Sequence, residues 1–173
     1  MDKPSYDKMA WCVNFLKDEM DKPMDILEIG SMDINGTYND LFNRWNRTGI
    51  DVCEGKNVDI VTKDPYHYPF KDASFDMVIS GQCLEHVEDM YAWADEAIRV
   101  LKPNGLMIIL APWNFPIHMD STSGYPGSTD CWRILPDGMR WLFVKRGKLK
   151  PALIQTFNYQ INMGVCYGVF RKI

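Results

Sequence analysis

The run Asp25-Ile26-Leu27-Glu28-Ile29-Gly30-Ser31-Met32-Asp33-Ile34-Asn35-Gly36 constrains this chain more than any other stretch. It opens as a short apolar strand carrying one acid, Glu28, and stops at a glycine turn. A strand that ends this way leaves a crevice at the carboxyl edge of a sheet. There, backbone N–H groups and a fixed carboxylate can hold a nucleoside-like ligand. A lone glycine turn is common in α/β proteins, so the rest of such a site must come from the residues that follow.

Those residues alternate strand and helix patterns, the mark of a parallel sheet covered on both faces. A first helix is expected from about Ser5 to Glu19, with Met9, Cys12, Val13, Phe15 and Leu16 on its apolar face. Pro23 separates it from a strand over Met24–Ile29. The spacing of Tyr38, Leu41, Phe42 and Trp45 predicts a helix from Thr37 to Trp45. Strands are expected at Thr48–Val52, Val58–Val61, Phe75–Ser80 and Leu106–Ala111. The best helix of the chain is Asp89–Leu101, stopped by Lys102-Pro103-Asn104-Gly105. Pro136 can start another over Asp137–Lys145, and strands near Ala152–Tyr159 and Val165–Arg171 would pair antiparallel. A parallel crossover usually needs a dozen or more residues. Only Cys53–Asn57 separates the second strand from the third, so the third is expected to be short and reached by an extended loop.

At 173 residues, 46% hydrophobic and 24% charged, the chain can bury a substantial core, and we read residues 1–173 as a single domain. No apolar run approaches the roughly 18–20 residues of a membrane span. Met1-Asp2-Lys3-Pro4 lacks a secretory core, which points to the cytoplasm. The five cysteines include no C-x-x-C pair, which argues for reduced thiols and against a disulfide framework or a zinc site; no metal is expected. Charge is uneven: residues 1–120 carry −10 and residues 121–173 carry +6. The basic end, including Arg133, Arg140, Lys145 and Lys148, would suit an anionic acceptor or simply a solvated surface. No aromatic–basic repeat accompanies it, so nucleic acid is not the expected partner.

Asp51 closes the second strand about 20 residues beyond Gly30, where a carboxylate can accept hydrogen bonds from ribose hydroxyls. Asp64 follows the third strand and could take an exocyclic adenine amine. Alone, each reads equally well as an ordinary strand-end or turn acid.

Taken with Leu27-Glu28-Ile29-Gly30-Ser31, Gly49-Ile50-Asp51, Tyr68–Val78, Cys83-Leu84-Glu85-His86-Val87, Arg99–Gly105 and Leu110-Ala111-Pro112, the chain resembles a small class I S-adenosylmethionine-dependent methyltransferase of the type 11 group. The segments run in order from about residue 25 to 118, with a weaker echo in Asp130-Cys131-Trp132-Arg133 and Pro136-Asp137-Gly138. The resemblance implies a Rossmann-like α/β sheet, mostly parallel with a C-terminal antiparallel hairpin. Helices would cover both faces; the short Cys53–Asn57 link departs from that pattern, leaving the helix between the second and third strands missing. It implies S-adenosylmethionine as cofactor. Glu28, Gly30, Ser31 and Met32 would lie beneath its methionyl part and ribose, and Asp51 on the ribose hydroxyls. Asp64 and Pro65 would lie at adenine, with Gly81 and Gln82 beside the methionine moiety. Glu85 and His86 would shape a turn. Met32 stands where relatives carry a second glycine. Pro65 offers no N–H to adenine, so Asp64 and Tyr66 would have to read the ring.

Methyl transfer from a sulfonium is an in-line displacement, so alignment supplies much of its acceleration. A hydroxyl acceptor also needs a base, and His118, just past the fifth strand, is the candidate catalytic residue. The leading reading is a methyltransferase acting on a small-molecule acceptor. The alternative is a non-catalytic relative with weak or no cofactor binding, serving as a partner module. A dinucleotide enzyme fits poorly, because no G-x-G-x-x-G follows the first strand.

Overall fold

The computed structural model describes residues 3–118, 129–145 and 147–173. Helix α1 (Lys3–Phe15) turns Met9 and Cys12 inward, and Leu16 continues that stripe just past its end. Phe15, expected on the same face, is instead 47% exposed and stacks on Trp11, because it lies one residue off the Cys12–Leu16 row. Strand β1 (Asp25–Ile29) is buried from Ile26 to Ile29. It lies between β2 (Asn46–Asp51) and β4 (Phe75–Gly81), parallel to both, which is why it reads as a continuous apolar run.

The expected helix over 37–45 does not form; a single 3-10 turn, Asn39–Leu41, takes its place. Thr37 Oγ1 accepts the Asn39 N–H at 3.1 Å, and Asp33 accepts that of Gly36 at 2.8 Å. Nine residues that include Asn39, Asp40 and Asn43, all weak helix formers, are too few to offset helix nucleation. Tyr38 and Phe42 are still buried, so the apolar spacing served packing rather than helix.

Strand β3 (Ile60–Val61) has only two residues, parallel to β2, and the crossover before it carries no helix, as expected. Side chains fasten that loop. Asp59 Oδ2 accepts the Gly49 N–H at 2.6 Å, Arg47 reaches the Asn57 carbonyl at 3.1 Å, and Asn57 Nδ2 reaches the Ser31 carbonyl at 2.8 Å.

Helix α2 (Met90–Val100) starts at Asp89, whose carboxylate accepts the N–H groups of Tyr91 and Ala92 at 3.0 and 2.9 Å. Strand β5 (Leu101–Asn114) begins at once, so the Lys102–Gly105 breaker is an irregular opening of a long strand, marked by a register shift against β4. Helix α3 (Pro136–Arg140) runs into a π-helical turn, Trp141–Lys145. Strands β6 (Leu149–Gln160) and β7 (Met163–Lys172) form the expected antiparallel hairpin.

The sheet order is β3-β2-β1-β4-β5-β7-β6, with β7 antiparallel to both neighbours. One face buries Trp93, Ile98, Phe143 and Phe170 beneath α2 and α3; the other buries Met9, Leu16, Phe42 and Tyr167 beneath α1. The carboxyl ends of β1, β2 and β4 therefore open toward one edge, between the two layers.

Candidate active site

The glycine turn after β1 is set by close approach. Gly30 has φ +76°, and a Cβ there would lie 2.6 Å from the Cys83 side chain. The N–H groups of Gly30 and Ser31 both donate to the Ile50 carbonyl, at 2.9 and 3.1 Å, which wedges the turn against the end of β2. Asp51 then braces both loops: its carboxylate accepts the Met32 N–H at 3.1 Å and the Cys53 N–H at 3.2 Å. Ser31 Oγ is buried with no hydrogen-bond partner. Met32, the residue in place of a family glycine, lays its thioether over Gly55, where a Cβ would meet Sδ at 2.6 Å.

Glu28 lies beneath this turn, 3% exposed, with Arg47 Nε 2.5 Å from its carboxylate. Burial raises its pKa more than the Arg47 charge and hydrogen bond lower it. Across the mouth, Gln82 adopts φ +60° and donates from Nε2 to Ser5 Oγ at 2.8 Å, pinning the end of β4 to α1.

Between these groups lies a cleft of about 680 Å³, the size of a small-molecule site. Glu28, Gly30, Ser31, Met32, Asp51, Pro65, Gly81 and Gln82 all line it. Asp64 does not. It is exposed, and its carboxylate accepts the Tyr66 N–H at 2.8 Å in its own turn. Tyr38, Thr62, Lys63, Tyr68, Cys83 and Trp93 line the cleft unforeseen. Tyr38 had been read as a core-facing helical residue; without that helix its ring lies against Gly81. Trp93 lies on the buried face of α2, where helical spacing marks it as core, and the others sit in a loop or at element ends, where no periodicity marks them.

His118 stands outside the cleft lining, beside His86, which lines it; their ring centroids are 5.4 Å apart. His118 Nδ1 lies 3.4 Å from Asp130 Oδ2. Arg133 holds Asp130 through two N–H groups and spends its remaining donors on the carbonyls of Phe115, Pro116 and Trp132. Cys131 and Trp132 both donate N–H to the Glu85 carbonyl, and Trp132 Nε1 donates to Val87 at 2.7 Å. Residues 129–133 thus strap the loop after β5 to the turn after β4. The Asp130–Arg133 motif is this strap. All five cysteines are free, and no helix among the described residues is long and apolar enough to cross a membrane.

Residues 29–109 match a family model described as "Methyltransferase domain". Norajmaline N-methyltransferase of Rauvolfia serpentina is 28% identical over 115 residues, covering 57% of this chain and 39% of that protein. Demethylmenaquinone methyltransferase of Staphylococcus aureus is 37% identical over 75 residues, covering 36% of this chain and 31% of that protein. The chain therefore spans under two fifths of the length of these relatives. Among solved structures, Burkholderia thailandensis 1,6-didemethyltoxoflavin-N1-methyltransferase superposes with TM-score 0.69 at 14% identity, covering 98% of this chain and 77% of that one. At that identity the likeness is one of fold. Residues 29–109, just under half of the chain, thus carry the methyltransferase-domain match, and the fold is one shared with a solved methyltransferase.

Proposed function

We propose that this chain transfers a methyl group from S-adenosylmethionine to a small-molecule acceptor. The observation that carries the reading is the Asp51–Met32 bond, which puts the acid after β2 and the turn after β1 on one cleft wall. The residues present fit the cofactor. An unpartnered buried hydroxyl at Ser31, a carboxylate at Asp51 and a cleft of about 680 Å³ are the polar and steric features a nucleoside sulfonium needs. The relatives named above are small-molecule methyltransferases by name, which supports the same acceptor class.

Asp51 would hold the ribose hydroxyls. Glu28, Gly30, Ser31, Gly81 and Gln82 would hold the methionyl part, and Pro65 and Tyr66 would flank adenine. When bound, the cofactor supplies an electrophilic methyl group. The chain's own task is to align the acceptor and exclude water, and for a hydroxyl acceptor to remove its proton. His118, with Asp130 behind Nδ1, is the proposed base. The position of Asp64, outside the cleft, favours weaker adenine recognition and keeps the non-catalytic module as the second reading.

Thermal shift with S-adenosylmethionine, S-adenosylhomocysteine and NAD tests the proposal. A ligand at 100 times its Kd stabilises by about 2.7 kcal/mol. Both S-adenosyl compounds should raise Tm by several degrees, and NAD should not. No shift at millimolar concentrations would reject cofactor binding. Binding without methyl transfer to any of a panel of hydroxyl and amine acceptors would favour the partner module.

A further inference from the structure

Beside the cleft, the turn after β4 and the loop after β5 bring Glu85 and His86, to which the methyl-transfer reading gives no role, together with His118. Glu85 is 0% exposed, and neither of its carboxylate oxygens has a hydrogen-bond partner. His86 Nε2 stands 3.7 Å from Glu85 Oε1, outside hydrogen-bond reach. His118 completes the group: one ligating atom from each of Glu85, His86 and His118 lies within 4.8 Å of the other two. A tetrahedral ion with bonds of about 2.1 Å holds its ligands about 3.4 Å apart, a spacing that small side-chain rotations reach from here.

The surroundings of the two histidines carry the argument further. Ligating histidines characteristically hand their other ring nitrogen to a carbonyl or carboxylate, which fixes the tautomer and aims the free lone pair. His86 Nδ1 is 2.8 Å from the Thr129 carbonyl, so its N–H donates there and Nε2 presents a lone pair toward Glu85. His118 Nδ1 faces the Asp130 carboxylate, whose side chain is 1% exposed and held by Arg133. Both outer partners are in place. A buried carboxylate with no hydrogen bond and two oriented imidazoles lacks only a cation at its centre.

We propose that Glu85, His86 and His118 form a binding site for a divalent transition-metal ion, with Zn²⁺ the best match to two imidazoles and one carboxylate. Three protein ligands leave a fourth position for water or an acceptor oxygen. His86 also lines the cleft, so the ion would sit where the acceptor enters; this use of the site rests on the methyl-transfer reading. With the ion bound, His118 acts as a ligand, and lowering the pKa of a bound hydroxyl falls to the metal rather than to a free base. The absence of cysteine pairs had argued against a zinc site; this one uses no cysteine.

The test is calorimetric titration of the EDTA-stripped full chain with Zn²⁺, repeated with Co²⁺ to read ligand-field absorption. One equivalent should bind with sub-micromolar Kd, and Co²⁺ should give the intense visible bands of a tetrahedral site. His86→Ala and His118→Ala should each weaken binding at least ~100-fold, and Asp130→Asn ~10–100-fold. His67→Ala, which removes the remaining histidine of the chain, should leave it unchanged. Glu85→Gln should behave like the histidine variants; if it fails to fold, the exposed His118 position still decides. No saturable one-to-one binding, or binding that survives both histidine variants, overturns the site. S-adenosylhomocysteine binding measured on the same stripped chain separates the two proposals: its retention with no metal binding rejects the metal site alone, and its loss with metal retained rejects the cofactor reading alone.

Discussion

The N–H of Met32 donates to Asp51 Oδ2 at 3.1 Å, so the carboxylate proposed to meet the ribose also braces the turn beneath it. Its other oxygen takes the Cys53 N–H at 3.2 Å. Site and scaffold share one side chain. Asp51→Ala is expected to weaken S-adenosylhomocysteine binding by roughly 100-fold, the worth of two charge-assisted hydrogen bonds at ~1.5 kcal/mol each, and to cost about 1 kcal/mol of stability. Calorimetry reads the first effect and urea denaturation the second. Unchanged affinity would remove Asp51 from the site.

Gly30→Ala sets a Cβ against Cys83 in a backbone region that side chains avoid. Strain of ~1–2 kcal/mol is expected from the backbone, plus the clash. Tm should fall by ~5 °C or more at 2–4 °C per kcal/mol. Adding Cys83→Gly should recover the clash and leave the backbone part, which a double-mutant cycle of melting temperatures would show.

Glu96 carries the acid sensitivity of the α2 face. Burial alone would raise its pKa, but hydrogen bonds from Arg99 and the Tyr68 N–H, with the Arg99 charge, outweigh it and hold the carboxyl below its usual range. A depressed folded value means stability that is present above the unfolded pKa of about 4.3 and lost as pH falls through the folded value. Glu96→Gln should cost about 1–2 kcal/mol at pH 7 and flatten the acid limb below about pH 4. An acid limb unchanged in the variant would assign it elsewhere.

Arg133→Ala should act on stability rather than acceptor affinity. Its five N–H groups are all engaged on Asp130 and on loop carbonyls, and its loss takes the guanidinium from an Asp130 side chain that is 1% exposed, leaving it to the His118 N–H and ring. About 3 kcal/mol and ~6–12 °C of Tm are expected. Arg133→Lys should not restore it, since an ammonium cannot reproduce the fork. A raised KM at unchanged Tm would instead mean that Arg133 meets an anionic acceptor.

What could be read from the chain followed from periodicity and from capping chemistry. β1, β4, α2 and the C-terminal hairpin each carry a run long enough for burial to write its period into the residues. Tyr38–Trp45 carries helical spacing, but in so short a run, with Asn39, Asp40 and Asn43 in it, the cost of nucleation wins, which spacing does not display. The cleft-lining residues were legible where they lie at or beside strand ends, as Glu28, Gly30, Asp51 and Gly81 do. Asp64 lies outside the cleft lining, its carboxylate turned to the Tyr66 N–H in an Asx turn that strand spacing does not display. The Glu85–His86–His118 group was invisible for another reason: His118 is 32 positions from His86, and only the neighbouring placement of β4 and β5, with the strap after His118, brings them together.

The helix-free crossover between β2 and β3 has a final consequence. Two of its fastenings are ion pairs, Lys56 to Asp33 at 2.7 Å and Arg47 to Asp59 at 3.3 Å, with Lys56 and Asp59 largely in solvent. Salt weakens exposed pairs such as these as the Debye length falls from about 8 Å at physiological ionic strength to about 3 Å at 1 M, whereas the sheet beneath rests on buried apolar contacts. Ionic strength therefore acts as a local control on this crossover, which joins the cleft-lining Val52 to Thr62. Amides of 53–58 should exchange with deuterium faster as salt rises while those of β1 hold steady, so the crossover can open without the sheet unfolding.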